Sequence, residues 1–109
     1  MGLLKGSNFT TRANETTAAD TAAPPTGSRY AVTYFNIKCN TATTLLIYNG
    51  TTTSTLMSME LAAAEGLAML LGDDNPLLFD TNASILFRIS ATGTASDIFY
   101  QGFSFIPGR

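Results

Sequence analysis

The sequence predicts an all-β protein: a compact antiparallel β-sandwich or jelly-roll with an extended N-terminal arm. Three observations carry this. From residue 30 onward, short apolar runs are separated by turn chemistry at roughly the 8–12-residue spacing of sandwiches and barrels. Most of those runs are rich in Val, Ile, Tyr, Phe and Thr, the residues that suit a pleated, half-buried surface. Residues 1–28 differ in character, with Leu3, Leu4 and Phe9 as the only large apolar side chains after Met1, among Thr, Ala, Asn, Gly and Pro. A chain of 109 residues has room for one folded domain. The expected division is therefore an arm over 1–28 and a β-sandwich domain over 29–109.

The arm closes with "AAPPTGS" (22–28), whose Pro-Pro favours extended polyproline geometry. It carries too little apolar surface to fold alone. Two readings stand: a disordered tail, or a segment that becomes ordered by lying along another subunit. In the second, Leu3, Leu4, Phe9 and Arg12 are the candidate contacts.

The first strand of the domain is read from "RYAVTYFNIKCN" (29–40). Tyr30, Val32 and Tyr34 alternate on one register, Phe35, Ile37 and Cys39 on the other. The change implies a β-bulge or burial on both faces. "TTLLIYN" (43–49) is the next strand, and "NGTTTS" (49–54) follows as a turn led by Asn-Gly. "LMSMELAAAEGLAMLL" (56–71) is ambiguous. Its composition favours a helix, while Met57, Met59 and Leu61 alternate with Ser58 and Glu60 as on a strand. The neighbouring strands favour a hairpin: one strand through Leu61, a turn over "AAAEG", and a returning strand "LAMLL". "SILFRIS" (84–90) is the cleanest alternation, with Ile85, Phe87 and Ile89 on one side. "DIFYQGFSFI" (97–106) is the final strand, aromatic on both registers and ended by Pro107 and Gly108.

Composition excludes several chemistries. The chain has no histidine and one cysteine, so imidazole catalysis, a Ser-His-Asp triad, an internal disulfide and a cysteine zinc site are not expected. Cys39 sits in an apolar run and reads as a small buried hydrophobe. Asp73 and Asp74 lack the oxygen spacing of a calcium loop and read as a solvated turn. Glu60 and Glu65 have no spacing that pairs them as acid and base. "GTTTST" lacks the Lys and second Gly of a phosphate-binding loop. The reading is of a protein that is not an enzyme, with no cofactor and no metal.

Net charge is −2, and charged residues make up 13% of the chain, about half the usual share. The six basic residues are spread along the chain without clustering, so no nucleic-acid partner is expected. No window reaches transmembrane length, and no membrane association is expected. Asn-x-Ser/Thr triplets at Asn8, Asn14, Asn49 and Asn82 follow from the Thr-rich composition. Low charge with abundant Thr and Ala suits either a surface covered by other protein or an ordinary β-protein exterior. The aromatic residues could form a sugar-stacking platform if two lay exposed and coplanar, but core packing is the commoner fate. Tyr48 and Tyr100 are kept as interface candidates.

Four pieces of sequence occur in a familiar order: Leu46-Ile47-Tyr48-Asn49-Gly50, Leu61-Ala62-Ala63-Ala64-Glu65-Gly66, Asn75-Pro76-Leu77-Leu78-Phe79 and Ala91-Thr92-Gly93-Thr94. The pattern resembles a recurrent module of small tailed-phage virion proteins, over residues 30–106 at most. Its pieces spell turns and strands rather than catalytic groups. The chain departs from the pattern at Glu65, where a small or amide residue is common, and in the low β-branched content of "LAMLL". The resemblance implies a virion β-sandwich, most often a capsid decoration (cement) protein on the head surface. It further implies the major capsid protein as partner and a homo-oligomer, a trimer at a local three-fold axis. Neck, tail or head-fibre placement is the alternative within the virion, and a carbohydrate-binding module is the alternative outside it. Glu65 falls in a loop expected at one end of the sandwich, where such a protein meets its partners.

Overall fold

The computed structural model describes residues 5–13, 18–39, 42–62, 66–72, 74–89 and 95–107. Nine strands account for most of them: β1 (Lys5–Ala13), β2 (Ala18–Thr21), β3 (Arg29–Cys39), β4 (Thr43–Asn49), β5 (Thr55–Leu61), β6 (Gly66–Leu70), β7 (Leu77–Leu78), β8 (Ile85–Ile89) and β9 (Ala95–Phe105). They form two sheets. The first has the order β1-β9-β3-β6, with β7 pairing β3 beyond β6, and the second has the order β2-β8-β4-β5.

Every pairing is antiparallel, and the pairings are nested. β1 and β2 run beside β9 and β8, while β3 and β4 run beside β6 and β5. This is the double-sheet arrangement of a jelly-roll, with β6 and β7 sharing the edge position next to β3. The all-β sandwich read from the sequence is thus the fold.

The core lies where the two inner faces meet. Phe35 and Ile37 of β3, Leu45 and Ile47 of β4, Ile85 and Phe87 of β8, and Ile98 and Tyr100 of β9 are completely buried. The period-2 pattern places them. In β8 the burial alternates, with Ile85, Phe87 and Ile89 inward, as the spelling "SILFRIS" requires. Phe87 is central, with its ring centroid 4.2 Å from Tyr100 and 5.7 Å from Phe35.

The double register of "RYAVTYFNIKCN" resolves as a bulge. β3 faces the core through Tyr30 and Val32, slips by one residue between Val32 and Tyr34, and then faces it through Phe35, Ile37 and Cys39. The extra residue is Thr33, whose carbonyl accepts the N–H groups of Leu71 (2.8 Å) and Gly72 (3.1 Å). The bulge turns Tyr34 outward and puts Ala31 on the outer face beside Phe103 and Phe105.

Residues 55–61 form a strand, so the helix option fails there. Met57 and Leu61 contribute to the core, as the alternation suggests. The division into two strands is right, but their pairing as one hairpin is not. β5 pairs with β4 in the second sheet and β6 pairs with β3 in the first, so the chain crosses between sheets after Leu61. Long-range partners decide this, since each strand buries one face against an already formed neighbour. The hairpin of this region is β4–β5, closed by Asn49 N–H to the Ser54 carbonyl at 2.8 Å. Its turn begins at Gly50, whose φ of 86° is the left-handed geometry that Asn-Gly spellings supply.

The N-terminal segment is extended over β1 and β2, but the boundary at residue 28 does not separate an arm from a sandwich. β1 completes the first sheet against β9, and β2 completes the second against β8. Both find partners inside the chain rather than on a neighbouring subunit.

Candidate functional site

The N-terminal strands are held by hydroxyl groups together with a few apolar contacts. Thr11 on β1 and Thr21 on β2 bond through their hydroxyls at 2.6 Å, and Thr21 continues to the Tyr100 hydroxyl on β9 at 2.8 Å. The Tyr100 hydroxyl also reaches the Ala19 carbonyl at 3.3 Å. Nearby, the Tyr30 hydroxyl donates to the Ala22 carbonyl at 2.6 Å. Phe9 packs between these rings, 4.8 Å from Tyr30 and 6.2 Å from Tyr100. On the outer side of the second sheet, Arg88 pairs with the Asp20 carboxylate and fastens β2 to β8. This chain of contacts stitches the edges of the two sheets together.

Burial pushes the Tyr100 phenol up to about 12. Its hydroxyl bonds to Thr21 and Thr11 oppose the shift, and the charge of Asp20 adds to it. An unfolded tyrosine ionises near 10. Between these values the unfolded chain loses its proton first, so stability is intact below about pH 10 and falls as pH rises through about 12. Urea midpoints measured across that window should decline. The Tyr100→Phe variant, about 1–3 kcal/mol less stable at neutral pH, should show a shallower decline. Equal slopes in the two proteins would refute this account.

The outer face of the first sheet has a different character. Arg12 on β1 lies with its guanidinium 5.0 Å over the ring of Phe99 on β9, and Phe99 lies 5.8 Å from Tyr34 on β3. Arg12 also stands 3.9 Å from the Asp97 carboxylate. Register sets these neighbours: Arg12 is opposite Phe99, Phe99 opposite Asn36, and Tyr34 opposite Leu70 of β6. Where Thr33 bulges, an open depression of about 370 Å³ is lined by Asn8, Thr10, Thr33, Gln101 and Phe103, among others. It contains no titratable side chain, so it offers hydrogen bonds but no acid–base chemistry.

Sequence candidates fall in different places. Phe9 is half-buried against the core, and Tyr100 is wholly buried. Tyr100 is therefore an internal clamp and presents nothing to a partner. A central strand surrounded on both flanks buries the inward register completely, which the two-sided aromatic spelling of β9 conceals. Arg12 is exposed on the outer face of the first sheet, and Tyr48 is half-buried on the second. Leu3, Leu4 and Glu65 lie outside the described residues, as does Asp73. Asp74 and Glu60 are exposed, and Cys39 is buried, with its thiol 3.4 Å from the Ala62 carbonyl. No aromatic residue is fully exposed, and the half-buried pair Tyr34–Phe99 is tilted by 59°, so the coplanar sugar platform is not formed.

Tyr34 and Phe99 enter the sequence reading only as strand residues and possible sugar-stacking aromatics, and Leu70 enters it only as part of a strand. The signal was present in the register change at Thr33 and in the alternation around Tyr100, both of which place these neighbours on the outer side.

The fold and this face define a jelly-roll domain with an aromatic, arginine-bearing outer sheet. In comparison with known proteins, no family model matches the chain and no curated protein matches its sequence.

Proposed function

We propose that the chain is a structural protein of a phage virion, a decoration protein that binds the outer surface of the head and stabilises it. The observation that carries this reading is where the family-like spellings fall in the fold. Tyr48-Asn49-Gly50 closes the β4–β5 hairpin, Leu61 and Gly66 bracket the crossing between sheets, and Asn75-Pro76-Leu77-Leu78-Phe79 leads into β7 and the buried Phe79. Turn spellings that sit at the turns of a jelly-roll support a likeness of construction and not merely of composition. The role would be one of binding energy: a small rigid sandwich clamps capsid subunits without chemistry of its own. The major capsid protein is the partner this reading names, with a trimer as the working oligomer.

Copy number in purified particles tests it. Decoration requires a number matched to the capsid lattice, whereas a single ring's worth would move the protein to the neck or tail. Absence from particles would end the virion reading. Deleting residues 1–28 is not a usable test of docking, because it removes an edge strand from each sheet.

A further inference from the structure

Cations that are scattered in sequence share one face of the fold, Arg12 and Lys38 towards one end of it and Arg29 at the other. β1, β9 and β3 are adjacent in the first sheet, and their outward register carries Arg12, Arg29 and Lys38. Among the described acids, Asp97 alone stands with these three on that face. The other acids among the described residues lie elsewhere: Asp20 and Glu60 on the second sheet, Asp74 and Asp80 in loops. Arg88, the cation of the second sheet, is paired with Asp20. Among the described residues, the outer side of the first sheet therefore carries more cations than acids, and the other four acids lie off it.

Apolar exposure follows the same division. The exposed large apolar residues among those described are Leu70 (79%), Leu78 (40%) and Ile106 (40%). Leu70 is on β6, Leu78 on β7, and Ile106 directly follows β9, all belonging to the first sheet. The second sheet's outward Leu46, Tyr48 and Leu86 are half-buried. Beside Leu70, which is opposite Tyr34, lies the Arg12–Phe99–Tyr34 stack. Arginine and aromatic residues are the types that dominate binding energy at interfaces.

We infer that the outer face of the first sheet, centred on Tyr34, Phe99 and Leu70 and rimmed by Arg12, Arg29 and Lys38, docks onto an acidic protein surface with an apolar centre. Charge selects the occupant. A second copy of the chain meeting this face symmetrically would oppose cation to cation, which disfavours a two-fold contact here. Nucleic acid would need a longer basic track than three side chains and gains nothing from exposed leucines. The inference rests on the virion reading only for the identity of the partner, an acidic patch on the head.

The test uses the full chain and two probes. The first is heads assembled without this protein. Leu70→Ser alters an exposed side chain and should leave the thermal midpoint unchanged, Lys38→Glu reverses an exposed charge, and each should weaken head binding by at least about tenfold. Glu60→Lys on the second sheet should leave binding unchanged, and added salt should weaken the wild-type interaction. If wild-type protein binds heads and the two face variants bind as well as it does, the face is wrong and the decoration reading survives. If wild-type protein does not bind heads, the decoration reading falls and the second probe decides the face. That probe is a synthetic peptide of alternating Glu and Leu, followed by backbone amide shifts. Shifts confined to β1, β3, β6 and β9 and lost in Lys38→Glu support the face. No shifts, or shifts on the second sheet, overturn it.

Discussion

Gly102→Ala is expected to abolish the stable fold, at a cost of about 3 kcal/mol or more. Gly102 lies on β9 opposite Val32, beside the Thr33 bulge. A Cβ placed there would overlap the Ala31 carbonyl oxygen, and it would lie 2.9 Å from the Ala31 carbonyl carbon and 3.0 Å from the Val32 Cα. All three are backbone atoms of the strand at the centre of the first sheet, so no rotamer change relieves the clash. β3 is held on one side by β9 and on the other by β6 and β7, and shifting it would break both ladders. The variant should show a large loss in urea midpoint or fail to accumulate as soluble protein. A midpoint within error of wild type would show that the bulge yields more easily than its contacts indicate.

Phe87→Ala is the second large effect, expected to cost about 3–5 kcal/mol. Here the damage is a void rather than a collision. Phe87 is completely buried in β8, between Phe35 and Tyr100, and its removal takes contacts from both sheets at once. Against a typical total of about 5–15 kcal/mol, such a loss leaves a small domain marginal. It also frees the Tyr100 ring, whose hydroxyl anchors Thr21 and, through it, Thr11. Limited proteolysis of the variant should therefore cut the N-terminal strands before the rest of the sandwich. Simultaneous cleavage throughout would show that the clamp and the core give way together. Phe87→Leu, which refills most of the volume, should recover part of the urea midpoint.

Local pattern and long-range contact were legible to different degrees. Alternation reported the inward register of β8, and the change of phase in "RYAVTYFNIKCN" reported the bulge, because side-chain direction in a strand is a local property. Pairing partners are not local. β5 and β6 look like two arms of one hairpin, and only the positions of β4 and β3 assign them to different sheets. The N-terminal strands were the hardest to see. They offer the core little beyond Phe9, Ala13 and Ala19, and their attachment depends on a hydroxyl of Tyr100, far away in sequence. The docking face was hidden for a related reason. Arg12, Arg29 and Lys38 show no clustering along the chain and come to share one face only when β9 inserts between β1 and β3.

That insertion also sets an order in time. β9 is the shared neighbour of β1 and β3, so the earliest described strand cannot enter its sheet until the latest has been synthesised. Throughout translation β1 waits without a partner, and contacts this distant in sequence form slowly. A waiting strand rich in leucine or valine would be a hazard for aggregation. β1 reads "KGSNFTTRA", with one large apolar residue among hydroxyls, amides and charges. The polar composition that made it look like a tail thus has a use before folding is complete: it keeps the unpaired strand soluble until β9 arrives.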